Sequence, residues 1–334
     1  MPAKKEIMVG IDMGGTRMRV LLVNAENEIL GMQRAPTNPK RKADGIVADL
    51  AALVESTVLS ANLTLSDVQA LSIGVPGACD PVGGVVYHAP NLGWKMVPLG
   101  PKLEALLKLP VFVENDVNVG VMGEYAFGAG QGVRELVGIF VGTGIGGGIV
   151  IGGQLFQGAR GAAAEVGHVV IEINGPLCGC GNRGCAEALA SRTAMERDVR
   201  DAVRRGEKSL VLKLMQDRGR TRMTSSVIER ALRAHDSVME RVMEHAQFCL
   251  GILVANVVNV LDPECVIIGG GIAGRLGREY VNPIRNTAYQ YFLRRHDARR
   301  VKIMPGILGD DAGPLGAVYL ARHWLGARRR SRKR

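Results

Sequence analysis

Apolar runs separated by glycine turns dominate the chain. Residues 6–12 (Glu-Ile-Met-Val-Gly-Ile-Asp) predict a buried strand, followed by Met-Gly-Gly-Thr and a second strand from Arg19 to Val23. A third short strand is expected around Ile29, then a polar loop at residues 35–42. Within residues 43–61, Ile46, Leu50, Leu53, Val54 and Val58 recur at helical spacing. Leu71 to Val75 and Val111 to Val113 read as further strands, and residues 117–126 as a helix. The opening pattern then returns. Leu136 to Val141 is a strand, Gly142 to Gly148 a glycine turn, and Ile149 to Ile151 another strand. Both halves thus begin with strand, Gly/Thr turn, strand, which predicts two related α/β lobes. Helices are expected near 186–205, 224–234 and 236–261, with a strand at Cys265 to Ile268 meeting Gly269-Gly270-Gly271. A closing helix is expected from Pro314 to about Leu325. No Gly/Ser linker separates the halves, which puts the hinge between packed elements near residues 115–135.

Length agrees with this doubling, since 334 residues exceed what one hydrophobic core usually serves. Aromatics are only 4% of the chain, so the core is expected to be built from Val, Ile, Leu and Ala. No uninterrupted apolar run reaches the ~18–20 residues of a membrane span, and no apolar signal region precedes the first strand. A cytoplasmic protein without a membrane partner is the expectation. The formal charge is +10, but +7 of it lies between Arg322 and Arg334, which leaves +3 for residues 1–321. The body is therefore only mildly basic, and the tail reads as a frayed, solvated end.

Three of the six cysteines fall within eight residues. With His168 they give the spacing H-x9-C-x-C-x4-C over Cys178, Cys180 and Cys185. One imidazole and three thiolates suit tetrahedral Zn²⁺, and four filled positions suit a closed structural site. Asp12-Met13-Gly14-Gly15-Thr16 lies between two strands, where backbone N–H groups and the Thr16 hydroxyl can face an anion. Asp12 is positioned to hold Mg²⁺ or its water shell. Such a turn is either a tight hairpin or a phosphate site; the turn at Gly142 to Gly148 has the same ambiguity, and neither has the Gly-Lys-Ser/Thr of a P-loop. Val113-Glu114-Asn115-Asp116 ends a strand in a polar triplet. There Asp116 is either a helix N-cap or a carboxylate that accepts a hydroxyl proton.

Over almost its whole length the chain resembles the ROK family of repressors and sugar kinases. The matching segments are Gly10-Ile-Asp-Met-Gly-Gly-Thr16, Gly74-Val-Pro-Gly77, Ala89-Pro-Asn-Leu-Gly-Trp94 and Glu114-Asn-Asp-Val-Asn118. They continue with Gly142-Thr-Gly-Ile-Gly-Gly-Gly148, Glu165-Val-Gly-His168 and Cys178-Gly-Cys-Gly-Asn-Arg-Gly-Cys-Ala-Glu187. The resemblance implies an α/β, two-lobed actin-like ATPase (ribonuclease H-like) fold with an inter-lobe active-site cleft. An N-terminal lobe over residues 1–118, completed by the closing helix at 313–326, would precede a larger lobe over 119–312 and a disordered tail at 327–334. The resemblance makes Asp116 the base for a hexose 6-hydroxyl. It gives Gly77, Asn91, Asn115, Glu165, His168 and Glu187 to the sugar. Asp12, Gly14, Gly15, Thr16, Gly142, Thr143, Gly144, Gly269, Gly270 and Gly271 would serve ATP and Mg²⁺. Arg17 stands where many relatives carry Lys, and the charge is kept.

The reaction so implied is ATP-dependent phosphorylation of a hexose, with glucose ranked before N-acetylmannosamine, N-acetylglucosamine and fructose. A sugar-responsive repressor is the competing class. The first family motif begins at Gly10, leaving no expected room for a DNA-reading module, and no specific nucleic-acid partner is expected. Inorganic polyphosphate is the alternative donor. A homodimer or homotetramer is the expected assembly.

Overall fold

The computed structural model describes residues 6–331. The chain divides into two compact units. The first takes residues through Gln131, the excursion Gln157–Ala163 and everything from Asp310, and the second takes Gly132–Phe156 and Ala164–Gly309.

In the first unit the order is β1 (Ile7–Met13), β2 (Arg17–Val23), β3 (Ile29–Pro36), α1 (Ala43–Ser60), β4 (Val68–Val75), β5 (Ala78–Asp80), β6 (Val85–Ala89), β7 (Trp94–Val97), α2 (Leu99–Leu107), β8 (Val111–Asn115) and α3 (Asp116–Phe127). The C-terminal helix (Ala312–Ser331) completes it. The main sheet runs β3-β2-β1-β4-β8, while β5, β6 and β7 form a small antiparallel sheet. Strands β1, β2 and β3 are antiparallel, and β1, β4 and β8 are parallel.

Strand periodicity decides what each face carries. Ile7, Val9, Ile11 and Met13 of β1 pack with Leu71, Ile73, Val113, Ile46, Leu50 and Val54 in one core. Met8, Gly10 and Asp12 therefore point to the opposite face, which the C-terminal helix covers. A Cβ on Gly10 would lie 2.0 Å from the Pro314 carbonyl oxygen. The same helix meets α3 with comparable closeness, since a Cβ on Gly316 would lie 1.7 Å from the Val119 oxygen. This packing places α3 in the first unit, so the expected boundary after residue 118 falls inside a helix that the unit keeps whole. The expected disordered tail differs too. The C-terminal helix continues through Ser331, and residues 332–334 lie outside the described residues.

The second unit contains β9 (Leu136–Val141), β10 (Ile145–Ile151), β11 (Gln154–Leu155), α4 (Ala186–Ala190), α5 (Arg192–Arg204), α6 (Val211–Gln216), α7 (Ser225–Arg233), α8 (Ser237–Leu261), β12 (Cys265–Gly269), α9 (Ala273–Leu276), α10 (Arg278–Tyr291) and β13 (Lys302–Pro305). Its sheet order, β11-β10-β9-β12-β13, repeats that of the first unit, again with three antiparallel strands followed by two parallel additions. This doubled arrangement is the actin-like ATPase fold.

Two expectations change here. The glycine turn is only Gly142-Thr143-Gly144, because Gly146, Gly147 and Gly148 are strand residues paired with Phe140, Ile139 and Gly138. The missing side chain of Gly147 makes room for a neighbouring segment, since a Cβ there would lie 2.6 Å from the Ala164 oxygen. The helix expected over 186–205 is broken at Ser191, whose hydroxyl accepts from the Ala194 N–H at 3.1 Å and caps α5. Helix α8, with an 18-residue window of mean hydropathy 1.3, is long and apolar enough to cross a bilayer by length and composition. Its Leu250, Leu253, Val254 and Val258 instead fill the core against Ile284 and Ala288 of α10.

Candidate active site

In the first unit the sheet register brings acidic groups together. Asp12 pairs with Gly74 across β1 and β4, and Gly74 pairs with Glu114 across β4 and β8. All three sit at the carboxyl ends of parallel strands, the usual place for ligands in open α/β sheets. Because Gly74 lacks a side chain, Asp116 approaches closely: a Cβ there would lie 3.3 Å from the Asp116 Cα. Burial, then Asp310, pushes the Asp12 carboxyl up to about 6, against the opposing pull of Arg19. Burial, then Asp12, pushes Asp116 up to about 7, although the Val117 N–H at 2.9 Å works the other way. Arg19 itself pairs with Asp311.

Asn115 caps α3, the first of the two roles weighed for Asp116 from sequence. Its Oδ1 accepts from the N–H groups of Val117 and Asn118 at 2.9 and 3.1 Å, and its Nδ2 donates to the Gly77 oxygen at 3.1 Å. Asp116 is thereby the first residue of the helix. Asn115 has its acceptor committed to the helix end, which makes it first a positioning group. Glu114, only 2% exposed, accepts from Asn118 Nδ2 at 2.9 Å, the Asn115 N–H at 2.8 Å and Gln157 Nε2 at 2.5 Å. Burial raises its pKa against those three donors. Sequence reasoning quoted Glu114 without giving it a role. It also missed Gln157, Asp310 and Arg19, whose partners are set by tertiary contacts.

The turn after β1 is closed by the Gly14 N–H donating to the Arg17 oxygen at 2.8 Å, and the Thr37 hydroxyl donates to the Gly14 oxygen at 2.8 Å. Thr16 is exposed. Asn91 lies against this turn, its Cβ 3.1 Å from where a Gly15 Cβ would be. Gly77 has φ +92°. Asp12, Gly14, Gly15, Thr16, Gly77, Asn91, Asn115 and Asp116 thus all belong to the first unit.

The remaining expected residues belong to the second. The Gly142 N–H bonds the Gly144 oxygen at 2.9 Å, and Gly269 at the end of β12 pairs with Phe140. Gly270 packs on the end of β9, where a Cβ would meet the Val141 oxygen at 2.2 Å, and a Cβ on Gly271 would meet Ser225 Oγ at 2.8 Å. Both glycine turns therefore lie at the same end of the second sheet. Glu187 reaches this end from α4. Its Oε2 accepts from the Ile145 N–H at 2.9 Å, and its Oε1 lies 3.7 Å from Cys178 Sγ. Glu165 is exposed and precedes a single helical turn ending at His168.

The ligand atoms of His168, Cys178, Cys180 and Cys185 all lie within 4.8 Å of one another. His168 Nδ1 is 3.7 Å from Cys178 Sγ, and Cys180 Sγ is 3.7 Å from Cys185 Sγ. A tetrahedron with metal–sulfur bonds of about 2.3 Å has sulfur–sulfur edges of about 3.8 Å, so this donor set fits Zn²⁺. The loop reaches this shape through Gly184, at φ +71°, where a Cβ would lie 1.7 Å from the Glu172 oxygen.

Known proteins are similar to this chain over almost its whole length. A glucokinase from Halalkalibacterium halodurans is 35% identical over 316 residues, 94% of each chain. A putative xylose repressor from a Caldicellulosiruptor species is 33% identical over 315 residues, covering 94% of this chain and 77% of that one. The crystal structure of a ROK family glucokinase from Streptomyces griseus, in complex with glucose and AMPPNP, superposes with a TM-score of 0.81 at 34% identity, covering 95% of this chain and 99% of that one. The model of the ROK family matches residues 8–323, and the chain belongs to that family.

Proposed function

We propose that the chain is a glucokinase that transfers the γ-phosphoryl group of ATP to the 6-hydroxyl of glucose, with Asp116 as general base. The coarser statement, a sugar-kinase phosphotransferase, follows from the family and its kinase relatives. The observation that carries the residue assignment is Asp116, a carboxylate raised to about 7 at the end of β8 with Asp12 beside it. A base poised near the working pH is half-ionised there, which suits late acceptance of a hydroxyl proton. Asn115 holds the start of α3, and with it the Asp116 backbone, through its cap and its bond to Gly77. In this reading Asn91 and Gly77 of the first unit, and Glu165, His168 and Glu187 of the second, bind the other sugar hydroxyls.

Asp12 would hold Mg²⁺, directly or through water, and the excess of acid around it fits a divalent cation. Mg²⁺ supplies charge neutralisation for the phosphates. Gly14, Gly15 and Thr16, with Gly142, Thr143, Gly144, Gly269, Gly270 and Gly271, would offer donors and close approach to the nucleotide. His168, Cys178, Cys180 and Cys185 would hold Zn²⁺, which supplies a fixed loop and a fixed imidazole orientation.

The test is ADP release with ATP and Mg²⁺ across glucose, mannose, fructose, N-acetylglucosamine and N-acetylmannosamine, using Asp116→Ala as blank. Turnover greatest with glucose and lost in the variant is expected. Preference for an N-acetylhexosamine would move the substrate, and an active Asp116→Ala would remove the base. The repressor relative favours a second reading, a sugar-responsive regulator, which sugar binding without turnover would carry.

A further inference from the structure

Beside the turn at Gly142-Thr143-Gly144 stands a cation to which the roles above give no work. Arg192 opens α5, and its backbone N–H donates to the Gly142 oxygen at 3.1 Å. Its guanidinium donates to the Thr143 hydroxyl at 2.7 Å, and it forms no ion pair among the described residues. The carboxylate that acts on Arg192, Glu196, is already engaged, and Glu187 beside Gly144 is bonded to the Ile145 N–H at 2.9 Å. Glu196 Oε1 accepts from Arg200 at 2.9 and 3.0 Å, while Oε2 accepts from Arg222 at 3.1 Å and the Met223 N–H at 2.8 Å. Burial and then Arg222 lower the Arg192 pKa, the direction expected of a cation short of negative charge.

Arg222 belongs to the same cluster. Its Nη2 donates to the Thr193 hydroxyl at 3.1 Å, and that hydroxyl donates to the Thr143 oxygen at 2.8 Å. Arg200 and Arg222 thus take up Glu196, and Arg192 is left with hydroxyl and backbone partners at a turn whose Thr143 is exposed. Half-burying a guanidinium that bonds no carboxylate costs free energy, which the pull of Glu196 and the Thr143 hydroxyl offset only in part. An anionic ligand would. A guanidinium's planar donors match phosphate oxygens in pairs, which a lone hydroxyl partner does not exploit.

We propose that Arg192, supported by Arg222, binds the phosphoanhydride chain of the phosphoryl donor. The inference rests on the kinase reading and deepens it. It makes donor recognition depend on phosphate number through a side-chain cation, in addition to the backbone N–H groups of the turn. The same chemistry serves a nucleotide's phosphates or inorganic polyphosphate.

The experiment measures binding of adenosine, AMP, ADP and inorganic tripolyphosphate to the zinc-loaded full chain by calorimetry. The proteins are wild type, Arg192→Gln, which keeps a donor for Thr143, and Arg192→Lys, which keeps the charge. ADP binding to Arg192→Gln is expected to weaken about 10- to 100-fold, the range for a charge-assisted hydrogen bond, with adenosine binding unchanged. Arg192→Lys should bind ADP more tightly than Arg192→Gln. In turnover, KM for ATP should rise while KM for the sugar stays constant. Tripolyphosphate binding that weakens in parallel, with turnover on it, assigns the site to the inorganic chain; weakening for ADP alone assigns it to the nucleotide. ADP affinity unchanged in Arg192→Gln would overturn the proposal and leave Arg192 a strut for Thr143. Equal ADP losses in both variants would also overturn it, because charge would then not matter. A wild-type chain that binds neither ADP nor tripolyphosphate would instead remove the kinase reading itself.

Discussion

Asp12 and Phe140 occupy the same place in two copies of one scaffold. Val9-Gly10-Ile11-Asp12-Met13-Gly14 in the first unit runs parallel to Val137-Gly138-Ile139-Phe140-Val141-Gly142 in the second. Each strand is followed by a short turn and an antiparallel partner, and each has a parallel neighbour whose glycine faces the variable residue. In the first unit that neighbour is Gly74, opposite Asp12, and in the second it is Gly269, opposite Phe140. What fills the space above the glycine differs. Over Gly74 come Val119 and the start of α3 with Asp116, while the Phe140 ring fills the space over Gly269, 2.5 Å from a notional Cβ. The first copy has crowded carboxylates where the second has an aromatic ring, and the second has Arg192 near its glycine turn, where Glu187 is bonded to the Ile145 N–H. In the proposed reading, one backbone plan supports a proton-accepting end and an anion-accepting end. The difference lies in a few side chains rather than in topology.

The sharpest way to break that contrast is at Asp116. Asp116→Asn should lower turnover by about 10²- to 10⁴-fold, the range for a general base, measured as glucose-dependent ADP release. It should also make the chain more stable near neutral pH. Asp116 has its pKa raised from 3.8 to about 7 by burial and by Asp12. Below about pH 4 the group is protonated in both folded and unfolded chains. Between there and pH 7 the folded chain holds a proton that the unfolded chain has released, so stability falls as pH rises through this window. Above it the ionised group is a standing cost. Asparagine removes that cost, and the melting temperature at pH 7.5 should rise by about 2–4 °C, the shift typical of 1 kcal/mol in a large domain. A variant that is both inactive and less stable would mean that Asp116 is a structural group.

A second break falls on the loop that has no counterpart in the first unit. Cys185→Ser replaces a fully buried thiol in the four-ligand cluster. Metal analysis should find about one zinc in the wild type and a large loss in the variant, since closed zinc sites contribute folding energy outright. Melting should fall by several degrees, and a chelator should reproduce the fall in the wild type but not in the variant. Glu187 bonds the Ile145 N–H and lies beside Cys178, so loosening this loop should also raise KM for ATP through the turn at Gly142. Unchanged zinc content in Cys185→Ser would remove that cysteine as a ligand.

Much of this contrast was legible before any coordinates. The apolar runs at β1, β4 and β9 located these strands, and the cysteine spacing located a cluster whose atoms do converge. What remained hidden depended on contacts distant in sequence. Asn115 rather than Asp116 caps α3 because the pairing of β8 with β4 fixes where the strand ends. Gly146 to Gly148 read as turn because glycine usually punctuates, yet here they are strand residues, and Gly147 leaves room for the Ala164–Val166 segment. The small β5–β7 sheet was missed because its strands are three to five residues long, too short for periodicity to show. Glu114 gave no signal, since its donors come from the end of β8, from Asn118 of α3 and from Gln157, forty-three residues away.

The smallest expected effect tests whether the two carboxylates act as a pair. Asp12 is the charge that raises Asp116, after burial itself. Asp12→Asn removes that charge, and the Asp116 pKa should fall below about 7. The acid limb of kcat against pH should then move to lower pH in the variant, even though its turnover falls at every pH from weaker Mg²⁺ binding. At about 4 Å, two unit charges at an effective dielectric near 20 interact by about 4 kcal/mol, and solvent exposure and a bound cation reduce this sharply. A displacement of about half to one pH unit is therefore expected, measured at saturating Mg²⁺. Sign matters more than size, because burial alone would leave the limb in place when Asp12 is neutralised. A limb that stays fixed would mean that the apolar wall and α3 tune Asp116 without help from Asp12, and the acidic end of the first unit would then be two independent groups rather than a coupled pair.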